Sequence, residues 1–182
     1  MLVSNSSKKK RRVPKFVAYV ASSIDGRISL HKIKRPNWTS REDWDFFQKE
    51  LAKADAVVVG RNTYIAAQKR LRSRNTFVLT SRVNRKVEKG TVTFVNPTKT
   101  ALADTFAPYK RVAIVGGSRV YHTMLTLGLL EDLYVSVEPL ILGRGTSMFE
   151  KATKTHRMKL VHTRRLNDAG TLLLHYVVQK HS

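Results

Sequence analysis

From residue 15 onward the chain alternates short apolar runs with longer segments of helical period. Runs rich in β-branched and aromatic residues and bounded by turn formers predict eight strands: Phe16–Ala21, Ala56–Val59, Thr76–Thr80, Thr91–Val95, Arg111–Val115, Asp132–Glu138, Lys159–Arg164 and Thr171–Val178. Ala56–Val59 and Val112–Val115 are apolar without alternation, as in central strands covered on both faces. Asn167-Asp168-Ala169-Gly170 joins the last two strands with the chemistry of a hairpin turn. Helices are predicted over Ser40–Lys53, Asn62–Lys69, Pro97–Phe106 and Ser118–Leu127. The first opens at Ser40 and carries Asp43 three residues on, a capping box in form. Strand–helix alternation predicts one α/β domain over residues 15–182, with a mostly parallel sheet, four flanking helices and an antiparallel C-terminal hairpin.

Charge changes this picture more than composition does. The 182 residues carry a formal +21, and six of the basic residues fall in the first fifteen (Lys8, Lys9, Lys10, Arg11, Arg12 and Lys15). Residues 1–14 are therefore expected to be a solvated, disordered basic tail. The remainder keeps a large positive excess, which attracts polyanions, whether a nucleotide cofactor, a substrate bearing carboxylates or, non-specifically, nucleic acid. No apolar run approaches the roughly 18 residues of a membrane span. The chain has no cysteine and its start lacks a secretory apolar segment, which fits a cytoplasmic protein. The six histidines show no metal-ligand spacing, so no metal is expected. The sequence leaves monomer and homodimer open.

Two strand-to-helix turns carry candidate chemistry. Gly60-Arg61-Asn62-Thr63 follows a predicted buried strand, and Gly116-Gly117-Ser118-Arg119 follows another. A glycine there lets backbone approach a ligand, and the helix start beyond it offers unpaired N–H groups to an anion. Two such turns at one end of a sheet form a cleft for a diphosphate, although the Gly-x-Gly-x-x-Gly spacing of a Rossmann unit is missing. Thr80-Ser81-Arg82, ending a third strand, adds hydroxyls and a guanidinium suited to a ribose phosphate.

The frame from Trp38 through Asp43, Trp44 and Phe47 to Gly60-Arg61-Asn62-Thr63 and Arg74, with Val115-Gly116-Gly117-Ser118-Arg119-Val120-Tyr121 further on, resembles the dihydrofolate reductase family without a gap in its first part. The resemblance implies that family's eight-stranded fold and NADPH as cofactor. It implies a cis Gly116–Gly117 bond, and Arg61, Ser81 and Arg119 around the 2′-phosphate. The wider cofactor set it implies is Ala21, Ile28, Gly60, Asn62, Thr63, Leu79, Thr80, Arg82, Val115, Gly116, Gly117, Ser118, Val120 and Tyr121. Asp43 matches the carboxylate that receives the pterin, Ser136 a hydroxyl that supports it, and Trp38 its companion in the catalytic set. Arg74 matches the arginine that holds the α-carboxylate of a folate glutamate. Ala21, Trp44, Phe47, Ala67, Leu71 and Val115 complete the implied substrate pocket.

A second family of the same fold, the riboflavin-pathway reductases, is resembled elsewhere: in Ala21-Ser-Ser-Ile-Asp25-Gly26-Arg27-Ile28-Ser29 and in Glu138-Pro-Leu-Ile-Leu-Gly143-Arg-Gly145, with Met148-Phe149-Glu150 behind it. The chain departs from that family at Val115, where it usually has Glu, and at Tyr19, where it usually has Lys. The expected activity is NADPH-dependent reduction of 7,8-dihydrofolate. Reduction of a ribosylamino-pyrimidine phosphate is the alternative, and a basic nucleic-acid-associated protein on an inactive reductase fold is the alternative of another class.

Overall fold

A computed structural model describes residues 14–30, 36–149 and 154–179. The expected basic tail lies outside these up to residue 13, as do residues 31–35. Eleven strands and four helices follow in the order β1 (Lys15–Ser23), β2 (Arg27–Ser29), α1 (Arg41–Ala52), β3 (Ala56–Gly60), α2 (Arg61–Leu71), β4 (Thr76–Leu79), β5 (Lys86–Lys89), β6 (Val92–Val95), α3 (Leu102–Phe106), β7 (Arg111–Ile114), α4 (Ser118–Thr126), β8 (Asp132–Glu138), β9 (Thr146–Ser147), β10 (Met158–Arg165) and β11 (Leu172–Val178).

Nine of the strands form one sheet in the order β10-β11-β8-β1-β7-β3-β4-β6-β5, parallel from β8 to β6 and antiparallel at both ends. β2 and β9 make a small separate ladder. The middle of the sheet is apolar on both faces because it is covered on both. Phe16, Ala18 and Val20 of β1 pack with Val120, Tyr121 and Met124 of α4 and Phe106 of α3. Val17 and Tyr19, the alternate residues, pack with Leu51 of α1 and Tyr64 and Leu71 of α2. The two edge strands are exposed and carry Lys86 and Lys89 at one end and Lys159, Arg164 and Arg165 at the other, which blunts pairing with further chains.

Three elements differ from expectation. The sheet gains β5, whose Lys-Val-Glu-Lys sequence is exposed throughout and so lacks the apolar pattern of a strand; Gly90 (φ 61°) turns it back against β6. Helix α3 starts at Leu102 rather than Pro97, because the Asn96 side chain accepts from the Thr98 N–H and hydroxyl and holds residues 97–100 in turns. The β2–β9 ladder is too short to have left a periodic signal.

Candidate active site

Helix α1 begins with Ser40 as N-cap, its hydroxyl accepting from the Asp43 N–H at 3.2 Å. Asp43 therefore sits in the first turn, and its side chain is buried against β8, where the Ser136 hydroxyl hydrogen-bonds its carboxylate. Burial raises the Asp43 carboxyl above the ordinary carboxylate range; Ser136 opposes the rise, and the nearby charge of Glu138 adds to it. Glu138 is buried as well. It accepts from the Ser40 N–H at 2.7 Å, the Ser40 hydroxyl at 2.9 Å and the Thr171 hydroxyl at 2.7 Å.

Asp43 opens into a cleft of about 500 Å³ at the carboxyl ends of β1, β7 and β8. Tyr19, Ala21, Val115, Tyr134 and Ser136 form its floor, and Trp44, Phe46 and Phe47 of α1 face Thr63, Ala67 and Leu71 of α2 across it. Helix α2 kinks at Ala67 (φ −124°, ψ 16°). Arg70 of α2 and Arg74 of its following turn also line the cleft. The Arg70 guanidinium lies 4.8 Å from the centre of the Trp44 ring, and Arg74 donates to the Leu51 carbonyl at 3.2 Å, which ties the two helices together there. The result is an apolar slot with one carboxylate and two guanidiniums in its lining. Every residue expected in the substrate pocket lines it.

Trp38 does not line it, although its neighbours Pro36 and Thr39 do; its indole Nε1 is buried without a hydrogen-bond partner. Of the expected cofactor residues, Leu79, Val120 and Tyr121 are buried in the core. Tyr121 acts from beneath, its hydroxyl donating to the Tyr19 carbonyl at 2.7 Å, and burial holds that phenol far above its usual pKa. Ile28 packs against the core from β2.

The remaining cofactor candidates gather along one sheet edge. Gly60 caps α2 and Gly117 caps α4, and the Gly60 N–H donates to the Gly116 carbonyl at 2.7 Å, so the two helix starts lie side by side. The Gly116–Gly117 bond is cis. Gly116 has φ 88°, and a Cβ there would meet the Tyr121 hydroxyl at 2.8 Å. A Cβ on Gly117 would point at the Thr63 hydroxyl, 3.7 Å away, filling the space between the two helix starts. β4 ends beside β3, which brings Thr80, Ser81 and Arg82 to the same edge, where Ser81, Arg82 and Arg119 are exposed and Arg61 is half-buried.

Two further polar clusters lie outside the cleft walls. Arg111 donates to the Tyr19 hydroxyl (2.7 Å) and to Glu50 (3.0 Å), behind the cleft floor. Asp25 accepts from Ser23 (2.6 Å) and from the Leu142 and Gly143 N–H groups, which hold its carboxyl down at about 2, and Arg27 donates to Ser147 at 2.6 Å. Among the described residues no group of three His, Asp or Glu side chains could hold a metal, and no helix is long and apolar enough to cross a membrane.

The family model of dihydrofolate reductase matches residues 20–155. The chain belongs to that family. The YwjB protein of Bacillus subtilis, described as uncharacterized, is 24% identical over 177 residues, covering 90% of this chain and 97% of its own. Among solved structures, RibD of Acinetobacter baumannii superposes with a TM-score of 0.74 at 21% identity over 92% of this chain, which spans 59% of the RibD chain. A pyrimidine reductase-like protein of Corynebacterium diphtheriae (0.72, 18%, 92% and 93% of the two chains) has the same fold, as does dihydrofolate reductase of Enterococcus faecalis, solved with NADP(H) (0.68, 20%, 92% and 99%). These likenesses establish an α/β reductase fold with a mixed central sheet.

The sequence reading missed Glu138, Tyr134, Phe46 and Arg70 as members of the site. Glu138 was legible as a strand end but not as a buried acid, since its partners are Ser40 and Thr171, far away in sequence. Arg70 sat in a basic run that reads as a solvated face.

Proposed function

We propose that this protein reduces 7,8-dihydrofolate to tetrahydrofolate with NADPH. The observation that carries this reading is the single carboxylate of Asp43, buried in an apolar slot that the guanidiniums of Arg70 and Arg74 also line. A pterin presents a 2-amino group and a ring N–H side by side, and one carboxylate accepts from both. The benzoyl ring suits the walls of Trp44, Phe47 and Leu71, and the glutamate carboxylate suits Arg74. NADPH, when bound, supplies the hydride taken up by C6 of the substrate. The adjoining starts of α2 and α4 suit its diphosphate, and Arg61, Ser81 and Arg119 its 2′-phosphate. The negative charge of Asp43, held in surroundings poor in water, stabilises the substrate protonated at N5, the proton arriving through water.

The likeness to RibD and to the pyrimidine reductase-like protein favours a second reading, reduction of a ribosylamino-pyrimidine phosphate. Against it, Tyr19 and Val115 stand where the riboflavin-pathway reductases usually have Lys and Glu, which removes polar groups that would meet a ribityl or ribosyl substrate. NADPH oxidation, followed by absorbance, is measured with each substrate beside an Asp43→Asn control. Oxidation that requires dihydrofolate and Asp43 is the expected result; turnover of the pyrimidine alone moves the assignment to the second reading, and absence of NADPH binding refutes both.

A further inference from the structure

We propose that Glu138 takes over from Asp43 the second half of the helix-capping box, and so leaves the Asp43 carboxylate free to face the cleft. A capping box has two bonds: the N-cap hydroxyl accepts from the N–H of the third helical residue, and that residue's side chain reaches back to accept from the N-cap N–H. In α1 the first bond is present, from the Asp43 N–H to the Ser40 hydroxyl at 3.2 Å. The second is made by a different residue. The Ser40 N–H donates at 2.7 Å to Glu138, which lies 98 positions later at the end of β8. The Ser40 hydroxyl then donates its own proton to the same Glu138 oxygen at 2.9 Å, so one serine is fixed at both of its polar groups.

Glu138 is itself held by the hairpin. Its other oxygen accepts from the Thr171 hydroxyl at 2.7 Å, and Thr171 is positioned by Asn167, whose side chain donates to the Thr171 hydroxyl (2.9 Å) and accepts from the Gly170 and Thr171 N–H groups. The turn between β10 and β11 thus reaches the first turn of α1 through a buried carboxylate. Without Glu138, the nearest acid with the right spacing to satisfy the Ser40 N–H is Asp43, three residues on, which would turn out of the cleft to do so. Glu138 is a positioning residue: it acts on the substrate carboxylate through the cap.

The arrangement also has an electrostatic side. The titratable and charged groups around Asp43 are Glu138 of β8, Tyr121 of α4 and Glu42 beside it on α1, with Tyr19 and Tyr134 on the cleft floor and Arg70 and Arg74 elsewhere in the cleft lining. Glu138 adds a like charge, so its removal eases ionisation of Asp43.

The inference rests on the reading of Asp43 as the substrate carboxylate, and its test separates the two. Glu138→Gln keeps an acceptor for the Ser40 N–H but no charge; Glu138→Ala keeps neither. Turnover of dihydrofolate and its pH profile are measured for both, together with the carboxyl 13C titration of Asp43 in the full-length protein with no ligand added. The expected result is that Glu138→Gln retains kcat/KM within about threefold at pH 7 with its acid limb moved to lower pH, while Glu138→Ala loses at least tenfold with NADPH affinity unchanged. In Glu138→Ala the Asp43 resonance shifts to that of a capping carboxylate and titrates in or below the ordinary range. Equal activity in Glu138→Ala and wild type, or an Asp43 titration unmoved in Glu138→Ala, overturns the inference. If wild type does not turn over dihydrofolate at all, the substrate reading fails, and the titration alone still decides the role of Glu138.

Discussion

Replacing Asp43 with Asn separates what this site does for chemistry from what it costs the fold. The carboxylate offers two acceptor oxygens; the amide offers one and presents a donor in place of the other. Facing the two donors of a pterin, the variant exchanges one charge-assisted hydrogen bond for a neutral one, a loss of about 1 kcal/mol, and sets donor against donor at the second, a loss of about 1.5–3 kcal/mol. The total, about 2.5–4 kcal/mol, corresponds to a fall in kcat/KM of about 10²–10³. Stability moves the other way. Burial raises the Asp43 carboxyl in the folded state, so the folded chain holds that proton more tightly than the unfolded chain does. The wild type therefore loses stability as pH rises from the ordinary carboxylate range through the raised value, and carries the full penalty above it. The amide of the Asp43→Asn variant does not ionise and carries no such penalty, so the variant is expected to gain on wild type as pH rises and to be the more stable of the two at pH 7. The assay is steady-state turnover at pH 7 beside urea unfolding at several pH values between 4 and 8. Turnover within fivefold of wild type would refute the assigned role. A variant that does not gain on wild type as pH rises would refute the claim that burial raises this carboxyl.

Three more outcomes are expected. Arg119→Ala should weaken NADPH by about tenfold and NADH little, measured as Kd for each, because a guanidinium at the start of α4 meets only the cofactor that carries a 2′-phosphate; equal losses would remove that contact. Tyr121→Phe deletes a fully buried donor to the Tyr19 carbonyl and should cost about 1–2 kcal/mol in denaturant unfolding, an unchanged midpoint being the contrary result. Gly145→Ala should cost about 1–3 kcal/mol, since φ is 118° and the added Cβ would lie 2.3 Å from the Ser29 carbonyl; retention of full stability would mean that the β2–β9 ladder shifts freely.

How far the sequence could be read depended on the range of the interactions that set each element. Helix α1 was legible to within a residue, because its cap, Ser40, and its first turn are neighbours in the chain. The central strands were legible because burial on both faces leaves an unbroken apolar run. α3 was overdrawn by five residues because one side chain, Asn96, diverts the backbone into turns, and β5 was missed because an exposed edge strand needs no apolar residue. In the candidate site the pattern Asp43, Trp44 and Phe47 was visible on one helix, and the chain folds all three into the cleft. Glu138 and Tyr134 were not visible, since a residue's burial on β8 is decided by α1 and by the hairpin, and neither is local. Trp38 matched a family position by count alone, and counting cannot tell which way an indole turns.

The same distinction bears on the two family resemblances of the chain. The segments that resemble the riboflavin-pathway reductases meet each other in space: Asp25 binds the Leu142 and Gly143 N–H groups, Arg27 binds Ser147, and Gly145 passes under Ser29. Their shared role is to fasten the turn after β1 to the segment between β8 and β9, and none of these residues lines the cleft. A fastening of this kind is compatible with either substrate, because its partners are one another and not the ligand. Glu138 joins the two resemblances, standing at the head of the riboflavin-like segment while its carboxylate caps the helix that bears Asp43. The choice between substrates therefore falls on Asp43, Tyr19 and Val115, the residues that a heterocycle in the cleft would touch.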